Sequence, residues 1–248
     1  MSRNFDLMRE MERERSFHSD RVIEPAFPIP GENRNLDAHR QSASDSTLRL
    51  VQRIFLQRTE ESPRMVVFAG IDHGNGCSQI AASVAKTLAG NASGAVCLVE
   101  ANFRSPSLPA MLGTTNYHGL TDALLEEDPI RSFIKRVCND SLSLLSSGPL
   151  AADSPNLLTS ERMKARFAEL REEFDFVIVD APPMTRYADA IALGLLSDGV
   201  VLVLEAENTR RAAALIAVEN LRSSKIRILG AALNKRTFPI PEFLYRKL

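Results

Sequence analysis

The feature that most constrains the fold is a set of short, uninterrupted apolar runs that recur along the chain between helical stretches. The runs are rich in Val, Ile and Leu, and they do not alternate apolar with polar residues. Strands of this kind are buried on both faces, which happens in parallel sheets that are covered by helices. The predicted strands are MVVFAGI (65–71), AVCLVE (95–100), LSLL (142–145), FDFVIVD (174–180), GVVLVLEA (199–206) and IRILGAAL (226–233).

Helical periodicity fills the intervals between these runs. Apolar residues recur three, four or seven positions apart, which places them on one face of a helix. A strand–helix–strand order requires right-handed crossovers, so we predict a doubly wound α/β fold: a mainly parallel sheet with helices on both faces, in three α/β/α layers. The helical stripes are Leu48, Val51 and Phe55; Ile80, Val84 and Leu88; Met163, Phe167, Leu170 and Phe174; the stretch 185–196; and Leu215, Val218 and Leu221.

Composition divides the chain into three parts. Residues 1–45 are charged and contain several prolines, and such a segment buries too little apolar surface to offset the entropy of ordering. We predict a flexible N-terminal arm there, either a plain leader or a docking arm for a partner. The globular pattern covers 46–235, and an apolar tail with a basic end follows at 236–248. We expect this tail to pack on the domain or on a partner rather than on a membrane.

Charge and cysteine usage exclude several classes of protein. The 30 Lys and Arg nearly cancel the 31 Asp and Glu, whereas a general nucleic-acid coat needs a basic excess, so no nucleic-acid partner is expected. No apolar run approaches the ~20 residues of a membrane span. The three cysteines form no CxxC pair, and such usage favours the reducing cytoplasm.

A glycine-rich segment follows the first strand, at the carboxyl end where open parallel sheets place their sites. This segment, DHGNGCS (72–78), leads into a helix. The layout suits phosphate, because backbone N–H groups converge on the anion and the helix dipole favours negative charge. Gly76 and Ser78 match the full pattern G-x-x-x-x-G-K-[ST], but Ile71 replaces its first Gly and Cys77 replaces its Lys. From this segment alone, a tight turn without a ligand is an equal alternative.

Two further strands end in carboxylates. AVCLVE ends in Glu100 and FDFVIVD ends in Asp180. An acidic residue in this position commonly holds Mg²⁺, directly or through water, in phosphate-binding α/β proteins, although a lone Asp is often only a helix cap. Together with the glycine-rich segment after the first strand, these two strand ends predict a site for phosphate and magnesium.

Several longer strings carry a family resemblance. They resemble the bacterial tyrosine kinases of capsule and exopolysaccharide synthesis, within the wider P-loop group that includes the MinD and ParA ATPases. The resemblance runs from about residue 47 to 234. Its strings are VVFAGIDHGNGCS at the Walker A position, VCLVEANFRSPSLPAMLG, GLTDALLEE, LLSSGPLAADSPNLLTSERM, FDFVIVDAPPM at Walker B, SDGVVLVLEAENTRR and ILGAALNKR.

The resemblance implies ATP and Mg²⁺ as cofactors and assigns roles to residues. It puts Asp180 and Glu100 at catalytic positions, and it puts Ser78, Glu100 and Asp180 around the metal. Asn234 lies where related ATPases have an Asn near the adenine, although a turn or cap role is equally open. The implied nucleotide-binding residues are Gly74, Asn75, Gly76, Cys77, Ser78, Gln79 and Asn234.

The chain departs from the family pattern where charge matters most. Family loops read Gly-x-Gly-Lys-Ser/Thr, and here Cys77 takes the place of the Lys. At an effective dielectric near 20, one contact between a unit charge and phosphate is on the order of 4 kcal/mol. A thiol supplies no positive charge, and if Cys77 ionised, which a helix N-terminus favours, it would repel phosphate instead. The second acidic motif, Asp-x-Asp-x-Arg in the family, reads EANFR (100–104).

Another cation could in principle stand in for the missing Lys. Lys86 lies roughly 13 Å along the helix from Cys77 by helix rise, which is too far. Arg104 and Arg186 follow neighbouring strands and could swing in from their loops, but we expect no such rescue.

Three functions remain open at this point. The expected one is a tyrosine-kinase-like P-loop protein with weakened or lost phosphotransfer that regulates polysaccharide assembly or export. Its partner would be a separately encoded membrane polysaccharide co-polymerase or chain-length protein, which would bring it from the cytoplasm to the inner face of the membrane. The second is an active tyrosine kinase with an unusual loop. The third is a MinD- or ParA-like positioning ATPase, which the kinase-type strings disfavour. Assembly into a homo-oligomer is open.

Overall fold

The structure, a computed structural model, describes residues 44–56, 62–139, 141–149 and 157–236. Sequence reasoning predicts six of its seven strands and misses the short strand Lys135–Val137, which has only three residues, two of them charged. In chain order the elements are α1 (44–54), β1 (Met65–Gly70), α2 (Cys77–Asn91), β2 (Val96–Glu100), α3 (Leu108–Met111), α4 (Leu120–Leu125), a 3₁₀ turn (Ile130–Phe133), β3 (Lys135–Val137), β4 (Leu142–Leu145), α5 (Glu161–Glu173), β5 (Phe176–Ala181), α6 (Asp189–Leu195), β6 (Gly199–Glu205), α7 (Arg211–Ser223) and β7 (Ile228–Asn234).

The strands form one sheet in the order β3-β4-β2-β5-β1-β6-β7. Neighbours pair in parallel except β3 and β4, which are antiparallel. From the central strand β1 the chain builds the sheet first toward β2 and β4 and later toward β6 and β7. This confirms the predicted doubly wound, mainly parallel sheet. The direction in which successive strands are added reverses at β1, and such a switch point leaves a crevice beside the carboxyl end of β1.

Apolar side chains project from both faces of the sheet, because helices cover both faces. Along β1, Met65 and Val67 belong to one buried cluster with α4 to α7, whereas Val66 and Phe68 belong to another with α1 and α2. All four are fully buried. The continuous apolar runs in the sequence thus have the predicted cause, burial on two sides.

The predicted helix at 185–196 is shorter in the structure, where it begins at Asp189. The preceding backbone is used elsewhere: the Met184 N–H donates to the Gly70 carbonyl at 2.9 Å, and the Thr185 N–H donates to the Ile71 carbonyl at 3.1 Å. These bonds fasten the segment after β5 to the end of β1, so helical pairing starts only beyond it.

The predicted arm (1–45) and tail (236–248) lie almost wholly outside the described residues. Residues 44 and 45 already belong to α1, and residue 236 follows β7. The three-part division therefore stays a prediction. Within the described ranges, no helix combines the length and the apolar character needed to cross a bilayer.

Candidate functional site

A glycine-rich loop leaves β1 at the centre of the sheet and leads into α2. Its first residue is held against β6, because the Ile71 N–H donates to the Val203 carbonyl at 3.0 Å. Gly74 and Gly76 have φ angles of 83° and 82°, a left-handed conformation that favours glycine. Gly76 is the N-cap of the 15-residue helix α2, whose first N–H groups lack intrahelical partners. This arrangement suits an anion such as phosphate.

Two asparagines brace the loop from inside. Asn75 is 2% exposed; its Nδ2 donates to the Val203 carbonyl at 2.8 Å, and its Oδ1 accepts from the Cys77 N–H at 3.2 Å. Asn234, at the end of β7, donates from Nδ2 to the Asn75 carbonyl at 2.8 Å. The side chains of both residues, predicted as nucleotide ligands, are thus engaged with the loop itself.

The loop forms one wall of a cavity of about 360 Å³. Six of the predicted nucleotide-binding residues line it, from Gly74 to Gln79. The other predicted site residues, Asn234, Glu100 and Asp180, are not among its lining, and the two carboxylates are fully buried. The full lining is Gly70, Asp72, His73, Gly74, Asn75, Gly76, Cys77, Ser78, Gln79, Asn102, Ser105, Ser107, Met111, Ala181, Pro183 and Lys235.

Cys77 is a neutral thiol in this setting. Its side chain is 8% exposed, and burial, followed by the charge of the neighbouring Asp180, raises its pKa well above the ordinary value. The effect of burial on the pKa therefore exceeds that of the helix N-terminus, which would favour a thiolate. The position supplies neither a positive nor a negative charge.

Glu100 and Asp180 are direct neighbours across β2 and β5. Glu100 Oε1 accepts from the backbone N–H groups of Ser107 and Leu108, the latter at 2.8 Å, so this carboxylate caps the start of α3. Glu100 Oε2 and both Asp180 oxygens are buried without a hydrogen-bond partner. Burial is the main cause that raises the pKa of Glu100 to about 7 and that of Asp180 to about 6.

The donor set fits Mg²⁺ at Asp180 and Ser78. A buried carboxylate oxygen without a partner is costly unless it binds a cation or a proton. Both oxygens of Asp180 are buried without a partner. The hydroxyl of Ser78 and the thiol of Cys77 face Asp180 and partly offset the rise in its pKa, but neither meets hydrogen-bond geometry. Glu100 fits less well, because one of its oxygens is already used at α3.

The two arginines that sequence reasoning considered as substitutes do not line the cavity. Arg104 stacks on the Tyr187 ring, 4.0 Å from its centroid, and pairs with Asp189 at 3.6 Å. Arg186 is exposed beyond β5. Among the residues that the structure describes, the Lys or Arg that lines the cavity is instead Lys235, which the sequence analysis missed. Its place next to Asn234, directly after the last strand, was the available signal.

Matched alanine substitutions at the two loop glycines should differ in effect. Alanine is strained in the left-handed conformation of both, by about 1–2 kcal/mol. A Cβ on Gly74 meets nothing within 4 Å, whereas a Cβ on Gly76 lies 2.3 Å from Asn234 Nδ2. We expect Gly76→Ala to lower the free energy of unfolding more than Gly74→Ala does, as measured by urea denaturation. Equal losses in the two variants would contradict the bracing role of Asn234.

No protein-family model matches the chain. Tyrosine-protein kinase YwqD of Bacillus subtilis is 34% identical over 161 residues, which are 65% of this chain and 68% of YwqD. Putative tyrosine-protein kinase CapB of Staphylococcus aureus is 24% identical over 199 residues, 80% of this chain and 87% of CapB. The succinoglycan biosynthesis transport protein ExoP of Rhizobium meliloti is 32% identical over 177 residues, 69% of this chain but 22% of ExoP.

Solved structures agree on the fold. The kinase domain of the Escherichia coli tyrosine kinase ETK superposes with a TM-score of 0.75 at 21% identity, over 88% of this chain and 86% of that domain. A ParA family ATPase from Chlorobium tepidum superposes with a TM-score of 0.60 at 19% identity, over 69% of this chain and 74% of the ATPase. The predicted resemblance to both groups is confirmed.

Proposed function

The chain belongs to the bacterial tyrosine-protein kinases of capsule and exopolysaccharide synthesis, and we propose that it is a nucleotide-binding member with weakened or lost phosphotransfer. It would act as a regulatory component of polysaccharide assembly or export. One observation carries the proposal: the phosphate-binding loop keeps its shape, but a neutral, buried Cys77 occupies the place of the loop Lys.

The missing charge matters more for transfer than for binding. Phosphoryl transfer depends on positive groups that stabilise charge on the transferring group. At the Asp180 side of the loop this chain offers a thiol and two carboxyl groups, none of them cationic. Backbone N–H groups still attract phosphate in the ground state. The balance therefore favours a protein that holds a nucleotide and transfers its phosphate poorly.

The remaining machinery has defined roles. The loop from Gly74 to Gln79 would hold the phosphates, while Asn75 and Asn234 keep its backbone in place through their side-chain bonds. Ser78 and Asp180 would hold Mg²⁺, which neutralises charge on the phosphate chain when bound. Glu100 positions the start of α3, whose N-cap residue Ser107 and last residue Met111 line the same cavity.

The name of one relative supports a membrane partner. This chain matches only 22% of ExoP, whose name is that of a biosynthesis transport protein. We infer that a membrane polysaccharide co-polymerase or chain-length protein is the partner of this chain and brings it to the inner face of the membrane. Self-association of the chain stays a prediction.

An active kinase with an unusual loop is the second candidate, and it is favoured by the presence of Ser78 and the unpartnered Asp180. It would need a cation at the terminal phosphate from some other source. A ParA-like positioning ATPase is supported less, because a relative named as a tyrosine-protein kinase matches at 34% identity, whereas the ParA likeness concerns the fold alone.

The test is an equilibrium titration of the full chain with a fluorescent ATP analogue and Mg²⁺, beside incubation with γ-labelled ATP. We expect weak, Mg²⁺-dependent binding and no tyrosine labelling above background. The Gly76→Ala chain serves as the control for loop-dependent binding and should bind less.

Robust tyrosine labelling of the unaltered chain would overturn the proposal in favour of the active kinase. Absence of any binding, with no difference between the unaltered chain and Gly76→Ala, would also overturn it, because the loop would then be a turn without a ligand.

A further inference from the structure

One lysine approaches the phosphate-binding loop from the carboxyl end of the edge strand β7. Lys235 Nζ donates to the Gly74 carbonyl at 2.7 Å and to Glu205 Oε1 at 3.2 Å. Within the part of the chain that the structure describes, it is the only Lys or Arg that lines the cavity. The family resemblance assigns no role to Lys235.

The position of Lys235 is defined by its backbone and by its counterion. Its φ angle is 54°, a left-handed conformation that a residue with a Cβ adopts at a cost and that clusters at ligand sites. Hydrogen bonds from Asn208 and Lys235 lower the pKa of Glu205, which therefore stays charged. Two hydrogen bonds thus hold the ammonium group beside the loop, while 46% of the side chain is exposed.

Lys235 and the missing loop Lys belong to different sides of β1. Asp180 lies on β5, on one side of β1, whereas Lys235 follows β7 on the other side. Three strand spacings separate β5 from β7, roughly 14 Å. The Cys77 thiol faces Asp180, so the absent ammonium group and Lys235 belong to opposite flanks of the loop. The flank of Lys235 is the one braced by Asn234.

We infer that Lys235 is a nucleotide-binding residue on the Asn234 flank of the loop, where its charge increases affinity for nucleoside diphosphate and triphosphate alike without contributing to transfer. This inference rests on the proposed function, since it assumes that the cavity takes a nucleotide. The equal effect on the two nucleotides follows from the distance between Lys235 and the Asp180 flank, where Ser78 would hold the metal.

The test compares Lys235→Met with Lys86→Met in titrations of the full chain with Mg²⁺–ADP and Mg²⁺–ATP. Lys86 is exposed on α2 and outside the cavity lining, so this control removes the same charge elsewhere. We expect Lys235→Met to weaken both nucleotides by about 10-fold, as one partly screened charge contact does, and Lys86→Met to change neither. The difference should shrink at high salt.

Lys235→Arg separates charge from loop shape. We expect it to retain most of the affinity; equal losses in Lys235→Arg and Lys235→Met would overturn the inference, because the Gly74 contact alone would then matter. Unchanged affinity in Lys235→Met, or a loss confined to ATP, would overturn it too.

A second comparison, made in the Cys77→Lys chain, keeps the two proposals distinguishable. If the unaltered chain binds neither nucleotide, the proposed function fails, and Lys235→Met is then compared in the Cys77→Lys chain. There the inference requires a higher KM for ATP with an unchanged kcat. An unchanged KM, or a fall in kcat, overturns it.

Discussion

Replacing Cys77 by Lys is expected to tighten ATP–Mg²⁺ binding by about 30-fold and to produce tyrosine labelling that the unaltered chain lacks. The estimate takes about half of the ~4 kcal/mol that one unit-charge contact provides at an effective dielectric near 20, or about 2 kcal/mol. The effect on transfer should exceed the effect on binding, because charge on the phosphoryl group develops toward the transition state.

The surroundings of residue 77 are suited to receive the ammonium group. The loop backbone is already held by Asn75 and Asn234, so no new backbone conformation is needed. Asp180 offers two buried oxygens without partners, and a nearby cation would lower its pKa from about 6. The substitution therefore repairs a local charge deficit rather than building a site.

Cys77→Met is the control, since it adds length without charge. Isothermal titration with ATP–Mg²⁺ and labelling with γ-labelled ATP should separate the three chains. If Cys77→Met gains as much affinity as Cys77→Lys, the effect is one of packing and the electrostatic explanation fails. If Cys77→Lys gains neither affinity nor labelling, the loop Lys is not what this site lacks.

The sheet could be predicted from the sequence because its strands carry a strong local signal. Val66 and Val67 point to opposite faces and are both fully buried. A continuous apolar run is therefore the sequence pattern of a strand that is covered by helices on both faces. The loop could be located for a similar reason, since Gly74 and Gly76 mark left-handed turns at a strand end.

The hydrogen bonds of the site could not be predicted because they join distant parts of the chain. Lys235 and Gly74 are 161 positions apart, and no local pattern brings them together. Glu100 reads as a metal ligand in sequence, yet one of its oxygens caps α3. β3 escaped prediction because an antiparallel edge strand of three residues carries almost no periodicity.

The Asp180 carboxylate should lower the free energy of unfolding, although it is needed to hold the metal. Its ordinary pKa is 3.8, and burial raises it to about 6. Between these values the folded state keeps a proton that the unfolded state has lost, so stability falls as pH rises from about 4 to 6, and the full penalty is present above that range. A shift of this size corresponds to at most about 3 kcal/mol at neutral pH.

Asp180→Asn is therefore expected to raise the free energy of unfolding at pH 8 by about 1–2 kcal/mol, less than the full penalty because a buried amide also needs partners. At pH 4 the gain should vanish, because Asp180 is then protonated in the folded chain. The same variant should lose Mg²⁺-dependent ATP binding, since an amide does not replace a carboxylate toward this metal.

Urea denaturation at both pH values, without Mg²⁺, measures the stability effect, and nucleotide titration with and without Mg²⁺ measures the functional one. Asp128→Asn removes an equal charge from an exposed position and should change neither quantity. A loss of stability at pH 8 in Asp180→Asn would show that the buried carboxylate is already satisfied in the folded chain. Opposite signs for stability and metal-dependent binding are the signature of a carboxylate that the fold keeps for a cation, because a purely structural residue would lower both when replaced.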